Sequence, residues 1–265
     1  MALAGDDGSR HGFRSLGKFF TGAFSREFFL KRLVPCIYLY LLACLLVCNL
    51  LFPPAAGGGP GYIPFMRTIS GQGNRADNPA GWFFFTAGLI GTSILLVPFY
   101  CFTWRRLAII CKGTASVSLF FAIAGAAGFA MVGIWDERST CLLTGSLGEC
   151  ILPSHVIHDI GADIAFGGQL LAVLFNFFPM VAAKTRHKVD PFGIWWQLVH
   201  IASFIGLLVL GLVMTNNDGA PALLRRSAFW QWSLFVNLAI YYLSLALRMN
   251  INTARVQSSL TKSAS

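Results

Sequence analysis

The chain has 265 residues, of which 55% are hydrophobic and only 12% charged, and its mean hydropathy is +0.64. That is about half the charge of a soluble globular domain, and no stretch between the recurring apolar runs is long enough for a water-soluble core, which excludes soluble-domain folds. A formal charge of +9 would suggest nucleic acid in a soluble protein, but here Lys and Arg lie between or before the apolar runs, where they set orientation, so no nucleic-acid partner is expected.

Taken in chain order, residues 1–32 form a basic segment expected in the cytosol. Phe13, Leu16, Phe19, Phe20, Ala23 and Phe24 recur at nearly helical spacing with Arg14, Lys18 and Arg26 between them, which predicts an interfacial amphipathic helix. A secretory signal or mitochondrial presequence is not expected there: the apolar run after Arg32 is too long for the first, and Asp6, Asp7 and Glu27 oppose the second. A helix needs about 20 apolar residues to cross about 30 Å of hydrocarbon. Six segments qualify: 33–53, 82–104, 115–135, 158–182, 193–214 and 228–247. The expected fold is therefore all-α, a six-span bundle over 33–247 followed by a short polar tail at 248–265.

Local chemistry supports these boundaries. The first span stops at Pro53-Pro54, whose rings cannot continue a helix. Trp82 opens the second, and Trp104-Arg105-Arg106 closes it, an aromatic belt with a basic stop. The third is rich in Ala and Gly over 122–133, which allows close backbone approach and a central position. Gln169 and Asn237 fall near mid-membrane, where they can hydrogen-bond between helices, and packing is their expected role. Placing the N-terminus inside leaves only Arg67, Arg75, Arg138, Arg225 and Arg226 outside, and the other fifteen of the twenty Lys and Arg in the cytosol. Both termini are then cytosolic.

The non-cytosolic loops, about 54–81 and 136–157, carry most of the chemistry. The first is full of turn formers; it is either a plain connection or a cap over a site between the helices, with Arg67, Ser70 and Asn78 as its candidate polar residues. In the second, Cys141 and Cys150 can form a disulfide in an oxidising compartment. The other five cysteines read as small hydrophobes, with Cys111 beside Lys112 the best acylation candidate. At the start of the fourth span His155, Asp159 and Asp163 follow one another at i, i+4 steps with His158 beside them, and Asp136, Glu137 and Arg138 lie at the same level. Ionisable groups at such depth default to functional candidates. Three readings stay open: a hydrogen-bond network pinning the third and fourth spans, a headgroup or proton site, and a metal or acid/base site. A three-His site is disfavoured because His200 sits too far toward the opposite surface. No metal or other cofactor is expected, and Ser70, Ser203 and Ser244 lack His and acid partners in their own layers for a hydrolase triad.

Three stretches carry a resemblance: Pro64-Phe65-Met66-Arg67-Thr68-Ile69-Ser70-Gly71, Gly128-Phe129-Ala130-Met131-Val132-Gly133-Ile134-Trp135, and Val156-Ile157-His158-Asp159-Ile160-Gly161-Ala162. In this order the chain resembles the DRAM-type family of six-span proteins over about residues 33–247. That group includes autophagy modulators, Sfk-type plasma-membrane proteins and GPI-lipid remodelling proteins. The resemblance implies a membrane-organising or regulatory role in a lysosomal, Golgi, endoplasmic-reticulum or plasma membrane, with membrane lipids and other membrane proteins as partners. A lipid-modifying activity like that of the GPI remodellers is the alternative, and transport ranks third.

Overall fold

The computed structural model describes residues 16–54, 61–135, 137, 141–144, 150–187 and 193–248. Among them run six long helices: α1 (Arg26–Leu50), α2 (Trp82–Leu107), α3 (Lys112–Ile134), α4 (Ser154–His187), α5 (Ile194–Thr215) and α6 (Ser227–Arg248). The first five are long and apolar enough to cross a membrane, the make-up of an integral membrane protein. The sixth matches them in length at 22 residues but carries Gln231, Asn237, Tyr241, Tyr242 and Ser244 along its course, which lowers its hydropathy.

Two features depart from a purely helical reading. Among the described residues of the N-terminal segment, helix runs over 16–20 and stops before Gly22, whose φ of +68° turns the chain before α1; the part before residue 16 and the tail beyond Arg248 lie outside the described residues. A small antiparallel hairpin, β1 (Cys141–Thr144) with β2 (Cys150–Pro153), precedes α4. α4 itself runs well past the expected 158–182. Its 34 residues span about 51 Å at 1.5 Å per residue, longer than a hydrocarbon core of about 30 Å. Within α1, residues Phe29–Leu33 form a π-helical turn carrying Lys31 and Arg32.

The helices pack as sequential neighbours, and the α3–α4 pair is the tightest. Small residues make it so. A Cβ on Gly128 would lie 2.4 Å from the Ala165 backbone nitrogen, and one on Gly168 would lie 2.8 Å from that of Gly125. The backbones therefore meet along a seam of Ala122, Gly125 and Gly128 against Gly161, Ala165 and Gly168, as close-packed membrane helices require.

One end of the bundle gathers Arg26, Lys31, Arg32, Arg105, Arg106, Lys112, Lys184, Arg186 and Arg248. Ring contacts tie this basic end together: Phe24 stacks on Phe102 with centroids 5.3 Å apart, and the Arg248 guanidinium lies 5.2 Å from the Trp196 ring. The opposite, loop-rich end carries residues 61–81, the hairpin and the start of α4.

Candidate functional site: a polar cavity at the loop-rich end

Asn78 organises the first loop. Fully buried, it donates from Nδ2 to the Cys48 carbonyl (3.1 Å) and the Gln72 carbonyl (3.0 Å), while its Oδ1 accepts from the Gly81 N–H (3.0 Å). The end of α1, the 3-10 turn Ser70–Gly73 and the start of α2 are thereby clamped together. Tyr62 donates to the Thr68 carbonyl at 2.9 Å, and burial pushes its phenol up to about 12, so it stays a donor. The Arg67 guanidinium lies 5.1 Å from the Phe52 ring, while its carbonyl accepts from Trp232 Nε1 at 3.2 Å, which draws the loop across α6. Arg67 and Asn78 therefore hold the loop in place, and Ile69 and Ser70 reach the space beneath it.

That loop meets Glu137, three residues past the end of α3. Thr68 Oγ1 (3.0 Å) and Ser70 Oγ (2.9 Å) both donate to Glu137 Oε2. The Ser70 hydroxyl thus donates to a carboxylate and not to a histidine, so no Ser–His pair forms there. On the facing helix, His158 is 4% exposed with Nδ1 2.8 Å from the Trp135 carbonyl. A carbonyl only accepts, so Nδ1 carries a proton, and Nε2 is the nitrogen left for another partner.

Between these groups lies a cavity of about 80 Å³, walled by Ser70, Glu137, His158, Asp159 and Gln231 and floored by Leu89, Phe129, Val132 and Phe235. It has room for a few waters or one small polar headgroup. Its floor is the wall of a second, apolar pocket of about 70 Å³ between α1, α2 and α6, which shares Leu89, Phe129 and Phe235 with it. A groove of about 370 Å³ between α1 and α6 adjoins that pocket through Tyr38, Phe235 and Ala239. Tyr38 bridges the two helices there, donating to the Ala239 carbonyl.

The predicted His/Asp constellation divides. Helical geometry keeps positions 155, 159 and 163 on one face, and Asp159 and Asp163 on that face are exposed while His155 is half-buried. His158, one residue round the helix, turns inward toward α3 with Ala162 and Ala165. The two imidazoles and two carboxylates thus do not converge, although Asp159 reaches the cavity rim. Asp136 and Arg138 lie outside the described residues. Cys141 and Cys150 are joined by a disulfide across the hairpin, with Cα atoms 5.6 Å apart. Among the described residues no group of three His, Cys, Asp or Glu side chains has the arrangement of a metal site.

Two parts of this region are invisible as motifs. Glu137 gains its partners from Thr68 and Ser70, nearly seventy residues earlier, and only the hydroxyl spacing Thr68-x-Ser70 hints at it. Deeper, Gln169 accepts at Oε1 from both Tyr100 and Tyr242 and donates from Nε2 to the Ala122 carbonyl at 3.3 Å, joining α2, α3, α4 and α6. Gln169, expected to serve mainly in packing, thus hydrogen-bonds between helices through two tyrosines. Compared with known proteins, the chain matches no family model, no curated protein and no solved structure.

Proposed function

We propose that the protein is a six-span membrane protein with both termini cytosolic, and that its non-cytosolic end binds a membrane lipid. The lipid head sits in the cavity formed by Glu137, His158, Asp159 and Gln231, and its chain enters the apolar pocket beneath. The role is membrane-organising or regulatory, of the DRAM type, in the endomembrane system or plasma membrane. Taking α6 as the sixth span accounts for its length and for its burial against α5. The positive-inside bias supports the orientation. The observation that carries the lipid reading is the shared wall of Leu89, Phe129 and Phe235 between a polar cavity and an apolar pocket, because an amphiphile needs both chemistries in register.

The test is recovery of bound lipid. Protein purified in a mild detergent should retain a lipid detectable by mass spectrometry, and Phe129→Ala with Phe235→Ala should alter the retained species by thinning the wall between cavity and pocket. Retention of no lipid by the wild type, or the same lipids in the variant, would remove this reading.

The second reading is lipid modification at the same place, favoured by one observation: the Nε2 face of His158 belongs to a ring lining the cavity, and Nδ1 is already held by Trp135. That arrangement suits a general base. Comparing lipids, GPI anchors included, in cells with and without the protein separates the two readings, since only modification predicts a substrate that accumulates and a product that disappears.

A further inference from the structure

At the basic end, the turn after residues 16–20 lies directly against α2. A Cβ on Gly22 would stand 2.3 Å from the Phe102 backbone nitrogen, so no other residue permits this approach. Phe24 then stacks on Phe102 with an interplanar angle of 1°, and Phe29 stacks on the same ring with centroids 4.2 Å apart. The N-terminal segment is thus held by a built contact, and between it and the end of α2 a cleft of about 830 Å³ remains, lined by Gly22, Phe24, Trp104, Arg105, Arg106 and Ile109.

Arg106 lies with its guanidinium 5.0 Å from the Phe102 ring centroid, and Arg26 and Arg105 stand close enough to act on it electrostatically. No carboxylate among the described residues pairs with any of the three. The neighbouring acid, Glu27, is taken by Lys31 at 2.8 Å. Two guanidinium groups, those of Arg105 and Arg106, line the cleft, and Arg26, next in the chain to the lining residue Ser25, repels Arg106; an anion there would relieve that repulsion. Guanidinium forks match phosphate oxygens, and stacking on an aromatic ring fixes a fork's plane. We propose that Arg26, Arg105 and Arg106 form a binding site for the phosphomonoester headgroup of an anionic membrane lipid. A phosphomonoester carries nearly two negative charges near neutral pH, which answers three arginines better than the single charge of a phosphodiester. The apolar walls of Phe24, Trp104 and Ile109 give the lipid's glycerol and first methylenes a surface that free phosphate does not need. The site lies at the opposite end of the bundle from the cavity of Glu137 and His158 and is independent of it.

The test uses the full chain in neutral detergent, titrated with short-chain phosphatidic acid, phosphatidylserine, phosphatidylcholine and inorganic phosphate and read by native mass spectrometry. Phosphatidic acid should bind at least tenfold more tightly than either other lipid. The Arg105→Gln, Arg106→Gln double variant should lose at least tenfold of that affinity at an unchanged melting temperature, while the corresponding Lys variants keep part of it. Should the double variant fail to fold, Arg26→Gln, at an exposed position, should still cost severalfold. Equal binding of phosphatidylserine would overturn the phosphomonoester assignment, and inorganic phosphate competing as well as phosphatidic acid would overturn the lipid one. Unchanged phosphatidic-acid affinity in folded Arg variants would overturn the site itself.

Discussion

His158 has one nitrogen fixed by the Trp135 carbonyl and the other on a ring that lines a polar cavity, so a single substitution separates its two roles. Glutamine at this position retains a donor for the Trp135 carbonyl but can neither titrate near neutral pH nor act as a general base. His158→Gln should therefore cost only about 1 kcal/mol of stability, the order of one net hydrogen bond. Under the lipid-binding role much of the activity should survive, and under a catalytic role it should vanish in a folded protein. Thermal stability in detergent and complementation of a knockout phenotype, measured on the same variant, distinguish these outcomes. Asn78 is the contrasting residue, since its buried side chain bonds three backbone groups and the Cys48 sulfur. Asn78→Ala should cost about 2 to 3 kcal/mol, because the Cys48 and Gln72 carbonyls lose a partner in a place water does not reach. The loss should appear as a lower melting temperature, with Asn78→Asp no better, because a carboxylate cannot donate to those carbonyls.

At the scale of elements, the α3–α4 seam sets the position of His158 against Trp135. Gly128 faces the Ala165 nitrogen and the Gly161 carbonyl, which are backbone atoms unable to yield as a flexible side chain would. Gly128→Leu should therefore separate the helices and destabilise the protein by about 3 kcal/mol, at the upper end of overpacking costs. It should also open the cavity, read as a lower melting temperature together with loss of lipid binding. The hairpin is a separate unit. Its disulfide closes a short loop, with Cys141 and Cys150 nine apart in sequence, and Cys141→Ser should remove about 2 to 3 kcal/mol of the stabilisation expected from loop closure. That loss should leave His158 in place, because its contact is to Trp135 and not to the hairpin. Non-reducing peptide mass spectrometry of the wild type should recover the 141–150 linked fragment; free alkylation of both thiols in native membranes would count against it.

These elements also show how far local sequence carries. Apolar runs, Pro53-Pro54 and the Trp104-Arg105-Arg106 stop locate the first two helices to within a few residues, apart from the earlier start of α1 at Arg26, because each signal acts on its own segment. The Ala and Gly content of 122–133 likewise announces close packing. The extent of α4 is less legible: Ser154 and His155 add a turn before the apolar run because they follow directly from the hairpin, a tertiary feature. The polar cavity is legible only in half. His158 and Asp159 are conspicuous as ionisable residues beside a span, and Ser70 stands in a loop rich in turn formers. The grouping of Thr68 and Ser70 on Glu137, and the inward turn of His158 away from the face of Asp159 and Asp163, depend on how the loop folds over the helix ends. Spacing within α4 cannot express that.

For the whole molecule, the arrangement of charge makes the last prediction. Lys and Arg crowd the end where α1 begins and α6 finishes, while Arg67, Arg75, Arg225 and Arg226 lie toward the other. Translocated loops rich in Lys and Arg are disfavoured, so the crowded end should face the cytosol. Five helices have the apolar length to span, and α6 decides the count: if it crosses as well, the two chain ends share a side. Epitope tags at each end should then be reached by antibody only after the plasma membrane is permeabilised, or be exposed on the cytosolic surface of isolated organelles. Cysteines introduced at Asn217 and Asp218, in the turn between α5 and α6, should label with a membrane-impermeant reagent from the opposite side. Tags on opposite sides of the membrane would mean that α6 lies along the surface, and would remove the Gln231 and Phe235 walls from the cavity as it forms in a bilayer. The topology measurement thus tests the span count and the lipid site together, because both need α6 packed upright against α1 and α5.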